Sequence, residues 1–203
     1  MAHLSLSFLG PFQVTLGGQP VSTFESARVR SLLAYLAVEA QRPHPREALA
    51  ELLWPGWPQG AALANLRRAL SNLRECLRDR EAQPPYLLIA RETLRFNTAS
   101  DHFLDVSAFT DLLSGPSDRP DREELERAVA LCRSRFLEGF ALGDCPAFEE
   151  WVLLQREALD RWRSGRCIPW PACTSSAGNM SLPSAMPASR CSCSRWTRRR
   201  RGS

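Results

Sequence analysis

The sequence contains no lysine, so all 26 of its basic residues are arginine. That bias indicates a GC-rich coding sequence rather than a particular function. No apolar run is long enough to cross a bilayer, and the first ten residues, MAHLSLSFLG, lack the basic and apolar regions of a secretory signal. These absences predict a soluble, cytoplasmic protein. Its 203 residues, 44% of them hydrophobic, can form one large or two small packed domains.

Signals of catalysis are also missing. His3, His44 and His102 are isolated in the sequence, and there is no glycine-rich phosphate loop, paired metal ligands or nucleophile elbow. The sequence therefore predicts that the protein is not an enzyme and binds no cofactor. Cys76 and Cys132 fall near apolar helical positions, which in the cytosol predicts buried thiols rather than disulfides.

Charge divides the chain into three segments. Residues 1–100 hold 11 arginines against 8 acids, residues 101–163 hold 8 against 14, and residues 164–203 hold 7 against none. Because the first segment is mildly basic, the second acidic and the third free of acids, we expect the three segments to have different partners. The domain boundaries are therefore placed after residues 100 and 163.

The first segment predicts three strands, three helices and a hairpin, in that order. Residues 4–22 alternate apolar and polar side chains, and Gly17-Gly18 suits a tight turn. From Ser26 to Ala40 the apolar period becomes helical, with one apolar side formed by Val29, Leu32, Leu33, Leu36 and Ala37. A second helix is predicted to start at Pro45. The remaining expected elements are a helix end near Leu53, a helix over 60–77, and strands over 86–90 and 94–97.

In the third predicted helix, the residue spacing predicts one narrow apolar stripe and an opposite side rich in arginine and amides. The stripe comprises Leu63, Leu66, Leu70, Leu73 and Leu77, and the opposite side comprises Ala64, Asn65, Arg68, Ser71, Asn72 and Glu75. Arginine binds guanine or phosphate, and asparagine matches the edge of adenine. The helix therefore fits the major groove of DNA. The alternative is an ordinary solvated face.

Three stretches, ARVRSLLAYLAV, LLWPGWPQGAALANLRRALSNLREC and YLLIARETLRFN, resemble the OmpR-like winged helix of SARP-type bacterial transcriptional activators. The resemblance covers about residues 4–98. It implies an α+β winged helix-turn-helix whose third helix enters the major groove and whose hairpin wing touches the backbone or minor groove.

Carried over by position, the resemblance implicates eight DNA-binding residues. Arg68, Ser71 and Asn72 are expected at base edges. Arg67 and Arg74 lie nearer the apolar stripe, which suits phosphate contacts or a salt bridge. The remaining three are Asn65, as a base or helix-terminal phosphate contact, and Arg91 and Thr93 at the wing.

The middle segment predicts three helices with one apolar side each. They run over 105–113, with Asp105 as a cap, over 121–135, and over 146–163. The stretches LDVSAFTDLL, LERAVALC and FLEGFALGDCPAFEEWVLLQREALDRW resemble the bacterial transcriptional activation domain of SARP-type proteins, which implies an all-α, tetratricopeptide-like fold that contacts proteins. The alternative is that these helices only support the first segment. The apolar sides comprise Leu125, Ala128, Val129 and Cys132 on the second helix, and Trp151, Leu154, Ala158 and Trp162 on the third.

The tail, residues 164–203, leaves three interpretations open. It could be a disordered basic arm that binds phosphate, or a metal site formed by Cys167, Cys173, Cys191 and Cys193, although their spacing is poor for zinc. The favoured interpretation is a shifted reading frame, because serine- and arginine-rich, acid-free sequence is typical of GC-rich codons read out of phase. The chain would then be a truncated activator with a disordered, non-native tail.

The combined prediction is a sequence-specific transcriptional regulator that binds double-stranded promoter DNA. The resemblance further implies binding to direct repeats, with homodimer formation there, and contact with RNA polymerase. No membrane partner and no metal site are expected in this function. The alternative is a helical protein-interaction scaffold without specific DNA binding.

Overall fold

The computed structural model describes residues 3–114 and 121–165. Nearly all of the predicted tail, with its four cysteines, lies outside the described residues, as do residues 115–120 between the first two helices predicted for the middle segment. The described chain forms seven strands and six helices in a mixed α/β fold. These are β1 Leu4–Ser7, β2 Gln13–Leu16, β3 Gln19–Pro20, α1 Ala27–Val38, β4 His44–Pro45, α2 Arg46–Leu53, α3 Gln59–Cys76, β5 Leu87–Ile89, β6 Thr93–Phe96, β7 His102–Leu104, α4 Asp105–Leu113, α5 Arg122–Leu131 and α6 Pro146–Gly165.

The first sheet has the strand order β3-β2-β1-β7. Gly17 and Gly18 connect β2 to β3 with φ angles of 59° and 78°, a left-handed conformation that glycine adopts without steric cost. The predicted tight turn is therefore confirmed. Strand β7 was not predicted; it pairs in parallel with β1, so that Leu4 lies beside His102 and Leu6 beside Leu104.

Helices α1, α2 and α3 pack together behind a second sheet of order β4-β6-β5. Ser26 caps α1 by accepting a hydrogen bond from the Val29 amide. Pro45 does not begin α2, as the sequence predicted, but pairs with Thr93 in the short strand before it. All five side chains predicted to form the apolar side of α1 are buried: Val29, Leu32, Leu33, Leu36 and Ala37.

Asp105 joins the first sheet to the helices that follow it. Its side chain does not cap α4, contrary to prediction, and is only 3% exposed. The carboxylate instead accepts hydrogen bonds from the amides of Phe8 and Leu9, both at 2.8 Å. The Arg133 amide donates to the Leu9 carbonyl at 2.9 Å. The segment after β1 is therefore held by groups distant in sequence.

Helix α5 begins as predicted and ends four residues earlier than predicted. Asp121 and Glu124 form a reciprocal capping box at its start. The helix ends at Leu131 because the Arg133 amide bonds to Leu9 rather than continuing the helical ladder. Of the four side chains predicted to face inward, Ala128 and Cys132 are buried and Leu125 and Val129 are partly buried.

The predicted apolar side of α6 is wrong at Leu154 and Trp162, whereas Trp151 packs against the core as predicted. The buried apolar positions of α6 are Phe148, Val152 and Leu159, whereas Leu154 is 54% exposed and Trp162 is 36% exposed. Helix α6 has two apolar sides, and helical spacing alone does not determine which one meets the core. Trp151 lies between them, where its indole N–H donates to the Glu39 carboxylate at 3.0 Å.

Candidate nucleic-acid interface

Helix α3 presents a polar surface opposite its buried side. The leucine stripe is confirmed at Leu66, Leu70, Leu73 and Leu77, which are all buried, while Leu63 is only partly buried. Burial also extends to neighbouring positions on one side of the stripe. These are Ala62, Ala69, Asn72 and Cys76. After the first turn of α3, the exposed residues are Ala64, Arg67, Arg68, Ser71 and Glu75.

Asn72 does not belong to the exposed surface on which the sequence placed it. It is 8% exposed, and its side-chain oxygen accepts a hydrogen bond from the Glu25 amide at 3.1 Å. The Cys76 thiol donates to the same oxygen at 3.7 Å. Asn72 therefore fixes the chain entering α1 against α3, and a buried amide engaged in this way is not available to a base edge. Helical spacing placed it outside because the spacing carries no information about the segment around Glu25, which covers that side of α3.

We expect Asn72→Ala to lower the free energy of unfolding by about 1–2 kcal/mol, because the Glu25 amide loses its acceptor in a partly buried position. Chemical denaturation compares this variant with Ser71→Ala. Ser71 is exposed on the same helix, so its variant should retain the wild-type stability. Equal stability of both variants would contradict the structural role of Asn72.

Arg74 is engaged within the fold. Its guanidinium Nε lies 3.2 Å from Asp79 Oδ2, and the Asp79 side chain is 1% exposed. The other oxygen of Asp79 accepts a hydrogen bond from the amide of Leu87, the first residue of β5, at 2.9 Å. Arg74 and Asp79 therefore fix the hairpin to the end of α3. The salt bridge that the sequence allowed for Arg74 is present, whereas nothing in the sequence pattern indicated Asp79 as its partner.

The turn between β5 and β6 presents Arg91, which is exposed, next to a half-buried Thr93. Arg46 supports this turn from α2. Its amide donates to the Glu92 carbonyl at 2.8 Å, and its guanidinium donates to the Ala90 carbonyl at 2.9 and 3.2 Å. Sequence reasoning missed Arg46, because its contact with the turn depends on the pairing of β4 with β6.

The remaining predicted residues lie on the exposed side of α3. Arg67 and Arg68 are both exposed, and Ser71 follows one turn later. Arg67 is thus further from the apolar stripe than the sequence indicated. Asn65 is half-buried and lies inside α3, which begins at Gln59, so it is not a helix-terminal residue. The surface offers two guanidinium groups and a hydroxyl, which can donate to phosphate oxygens and to the acceptors of guanine.

The acidic helical part packs on other elements. Arg28 of α1 forms an ion pair with Asp144 and donates to the Leu53 carbonyl at 2.8 Å. The Cys145 thiol donates to the same carbonyl at 3.3 Å. These contacts place the segment before α6 against α1 and the end of α2, and Arg67, Arg68 and Ser71 stay exposed. In the described part of the chain, the acidic residues therefore do not cover this surface.

Metal sites and membrane-spanning helices were also considered in the sequence. Across residues 3–114 and 121–165, no cluster of three histidine, cysteine or acidic side chains has the geometry of a metal site. Over the same ranges, every helix is too short or too polar to span a bilayer.

Comparisons with known proteins identify transcriptional regulators. The chain is 36% identical over 88 residues to the transcriptional regulatory protein EmbR of Mycobacterium bovis and of Mycobacterium tuberculosis strains CDC 1551 and H37Rv. The match covers 43% of this chain and 22% of each relative. No protein-family model matches the chain.

A solved structure shares the fold. Mycobacterium tuberculosis EmbR, determined in complex with a low-affinity phosphopeptide, aligns with a TM-score of 0.62 and 23% identity over 82% of this chain and 45% of that one. Because the relatives are regulators, the prediction that the chain is not an enzyme is confirmed. Over part of its length, the chain is thus related to EmbR, a transcriptional regulator of the SARP family.

Proposed function

We propose that the protein is a winged-helix transcriptional regulator that binds promoter DNA with α3 in the major groove. The observation that carries this proposal is the exposure of Arg67, Arg68 and Ser71 on one side of a helix whose other side is buried in the core. The small Ala64 on the same side allows close approach to a base-pair edge. An α-helix of this kind fits the width of the major groove.

The hairpin of β5 and β6 would act as the wing. Arg91 at its turn can neutralise a backbone phosphate or enter the minor groove. Arg46 of α2 holds the turn in place by donating hydrogen bonds to the Ala90 carbonyl. Arg74 and Asp79 fix the hairpin to α3, so the two contact elements would approach DNA as one unit. Thr93 would add a hydroxyl contact to the backbone.

Specific reading is assigned to Arg68 and Ser71, and phosphate binding to Arg67, Arg91 and the half-buried Asn65. Asn72 is left out of this set because it is buried and bonded to the Glu25 amide. Arg74 acts through its ion pair with Asp79 rather than on a base. Of the eight residues that the sequence indicated, the proposal therefore leaves out Asn72 and Arg74 and keeps the other six.

We expect Arg68→Ala to keep the fold and to weaken specific DNA binding by about 1–3 kcal/mol if Arg68 reads a base. The operator is first recovered by selecting genomic fragments that the intact protein binds, and affinities are then measured across a salt series. Arg127→Ala is the matched control, because Arg127 is an equally charged exposed residue on α5.

Arg67→Ala distinguishes phosphate binding from base reading in the same assay. It should weaken binding to all fragments alike and reduce the salt dependence by about one phosphate contact. If Arg68→Ala and Arg127→Ala have the same effect, α3 does not read DNA.

The relatives' regulatory role extends the proposal to transcription. The helical part would contact RNA polymerase or another copy on direct repeats, and its net negative charge suits a protein surface better than DNA. A second candidate function is a protein-interaction scaffold, favoured by the exposed apolar residues Leu154 and Trp162 on α6. The absence of any preference among genomic fragments would support this second function.

A further inference from the structure

Helix α6 is attached to the carboxyl end of α1 through Glu39. The Glu39 carboxylate accepts hydrogen bonds from the indole N–H of Trp151 at 3.0 Å and from the side-chain amide of Gln155 at 3.2 Å. Trp151 and Gln155 lie one turn apart on α6, and the Trp151 ring packs on the ring of Tyr35 of α1, with centroids 5.0 Å apart. The Glu39 side chain is 26% exposed, and a carboxylate makes stronger hydrogen bonds than a neutral acceptor does. Glu39 therefore fixes α6 to this end of α1.

The backbone of the same end of α1 holds the sheet that contains the proposed wing. The ring Nε2 of His44 donates to the Glu39 carbonyl at 2.9 Å, and the Arg95 guanidinium donates to the Ala40 carbonyl at 2.9 Å. His44 belongs to β4, which pairs with β6 at Leu94, and Arg95 belongs to β6 itself. The end of α1 is therefore bonded to α6 through the Glu39 side chain, and to β4 and β6 through its carbonyl groups.

We propose that α6 positions the wing through Glu39, so that the acidic helical part controls the affinity of the protein for DNA. Trp151 and Gln155 fix the end of α1, the end of α1 fixes β6, and β6 follows the turn that presents Arg91. The inference rests on the proposed function, because the phosphate contact of Arg91 is the interaction that would change. Glu39, Trp151 and Gln155 are positioning residues, since they act through the wing and not on DNA.

This coupling works in both directions. If the attachment of α6 to Glu39 raises the affinity for DNA by a certain factor, bound DNA stabilises that attachment by the same factor. Anything that detaches α6 from Glu39 would therefore lower the affinity for DNA. The acidic helical part would thus regulate the proposed DNA-binding surface without covering it.

The first test measures hydrogen exchange of the full chain without DNA. Glu39→Gln keeps the size of the side chain but replaces the charged acceptor of two donors with a neutral one. Amides of the hairpin, such as that of Ala90, which donates to the Thr93 carbonyl at 3.0 Å, should exchange at least about threefold faster than in the wild type. The amides of Leu70 and Leu73 in α3 should keep their wild-type exchange rates.

Two further variants complete the exchange experiment. Trp151→Phe removes the indole donor but retains an aromatic ring, so it should accelerate exchange of the same hairpin amides. Glu51→Gln is the matched control, because Glu51 is an exposed carboxylate on α2, and its variant should exchange like the wild type. Equal hairpin exchange in Glu39→Gln and Glu51→Gln would overturn the proposal. So would an equal acceleration of the α3 amides, since that would indicate a general loss of stability.

The second test measures the affinity for the operator recovered from genomic fragments. Removing a carboxylate makes the protein more positive, which by itself strengthens binding to DNA. Glu51→Gln should therefore bind as tightly as the wild type or more tightly, whereas Glu39→Gln should bind about fivefold more weakly. The opposite signs separate the loss of positioning from the change in net charge. Tighter binding by both variants would contradict the role of Glu39.

A double-mutant cycle tests whether Glu39 acts through the wing. Arg91→Ala should weaken operator binding less in the Glu39→Gln background than in the wild type, because a displaced wing already makes poorer contact with the backbone. Independent effects of the two substitutions would overturn the coupling. If the wild type binds no DNA at all, the proposed function fails, but the hydrogen-exchange comparison still decides whether α6 positions the wing.

Discussion

Leu70→Asp is expected to unfold the part of the protein that contains α3. Leu70 is 6% exposed and lies between Leu66 and Leu73, both 0% exposed, at the centre of the buried side. Losing a buried leucine costs about 2–5 kcal/mol, and burying an unpaired carboxylate costs several more. The total is comparable to the whole stability of a small domain, about 5–15 kcal/mol. Thermal melts followed by circular dichroism should show little or no folded protein.

Ser71→Asp is the control for this prediction, because it places the same carboxylate one residue later on the exposed side of α3. Its cost is limited to helix propensity, about 1 kcal/mol or less. The variant should therefore melt close to the wild type, while its added negative charge beside Arg68 should weaken DNA binding. Similar melts for the two variants would contradict the orientation of α3.

The second large effect is expected for Asp105→Ala. The amides of Phe8 and Leu9 belong to residues that are 0% and 2% exposed, and both donate to the Asp105 carboxylate. Each amide left without an acceptor costs about 1–3 kcal/mol, so the free energy of unfolding should fall by about 2–6 kcal/mol. Urea denaturation compares this variant with Asp111→Ala, which removes an exposed carboxylate from the same helix. Equal losses would show that the Asp105 contacts are not important for stability.

The contribution of Asp105 should also depend on pH in the direction opposite to that of most carboxylates. Burial raises the pKa of Asp105 above its ordinary value, although the amides of Phe8 and Leu9 and the Arg133 guanidinium lower it in part. The folded protein therefore takes up this proton at a higher pH than the unfolded chain, whose aspartates titrate at about pH 4. The stability difference between wild type and Asp105→Ala should widen as the pH falls from neutral toward that value.

Local patterns predicted the elements whose burial follows from their own period. The apolar side of α1, four of the five leucines of the α3 stripe and the Gly17-Gly18 turn are where the sequence indicates. Each of these depends on residues at most a few turns apart. Strand β7 could not be predicted in this way, since its three residues form a strand only by pairing with β1, nearly 100 residues earlier.

The same distinction between local patterns and distant contacts applies to the candidate site. The sequence identified Arg68 and Ser71 on the exposed side of α3, because a residue opposite a regular leucine stripe faces outward unless another element covers it. It misplaced Asn72, whose side of α3 is covered by the segment around Glu25, and it missed Asp79 and Arg46, which act through contacts with the hairpin.

The sequence by itself determined where most helices and strands form, which side of α1 and α3 is apolar, and which segment is basic. Only the tertiary structure decided that Asp105 holds the end of β1, that Asn72 is internal and that α6 buries Phe148 and Val152 while exposing Leu154. The physical reason is that periodicity along a chain specifies which side chains share a face, whereas the element that covers that face comes from a distant part of the chain.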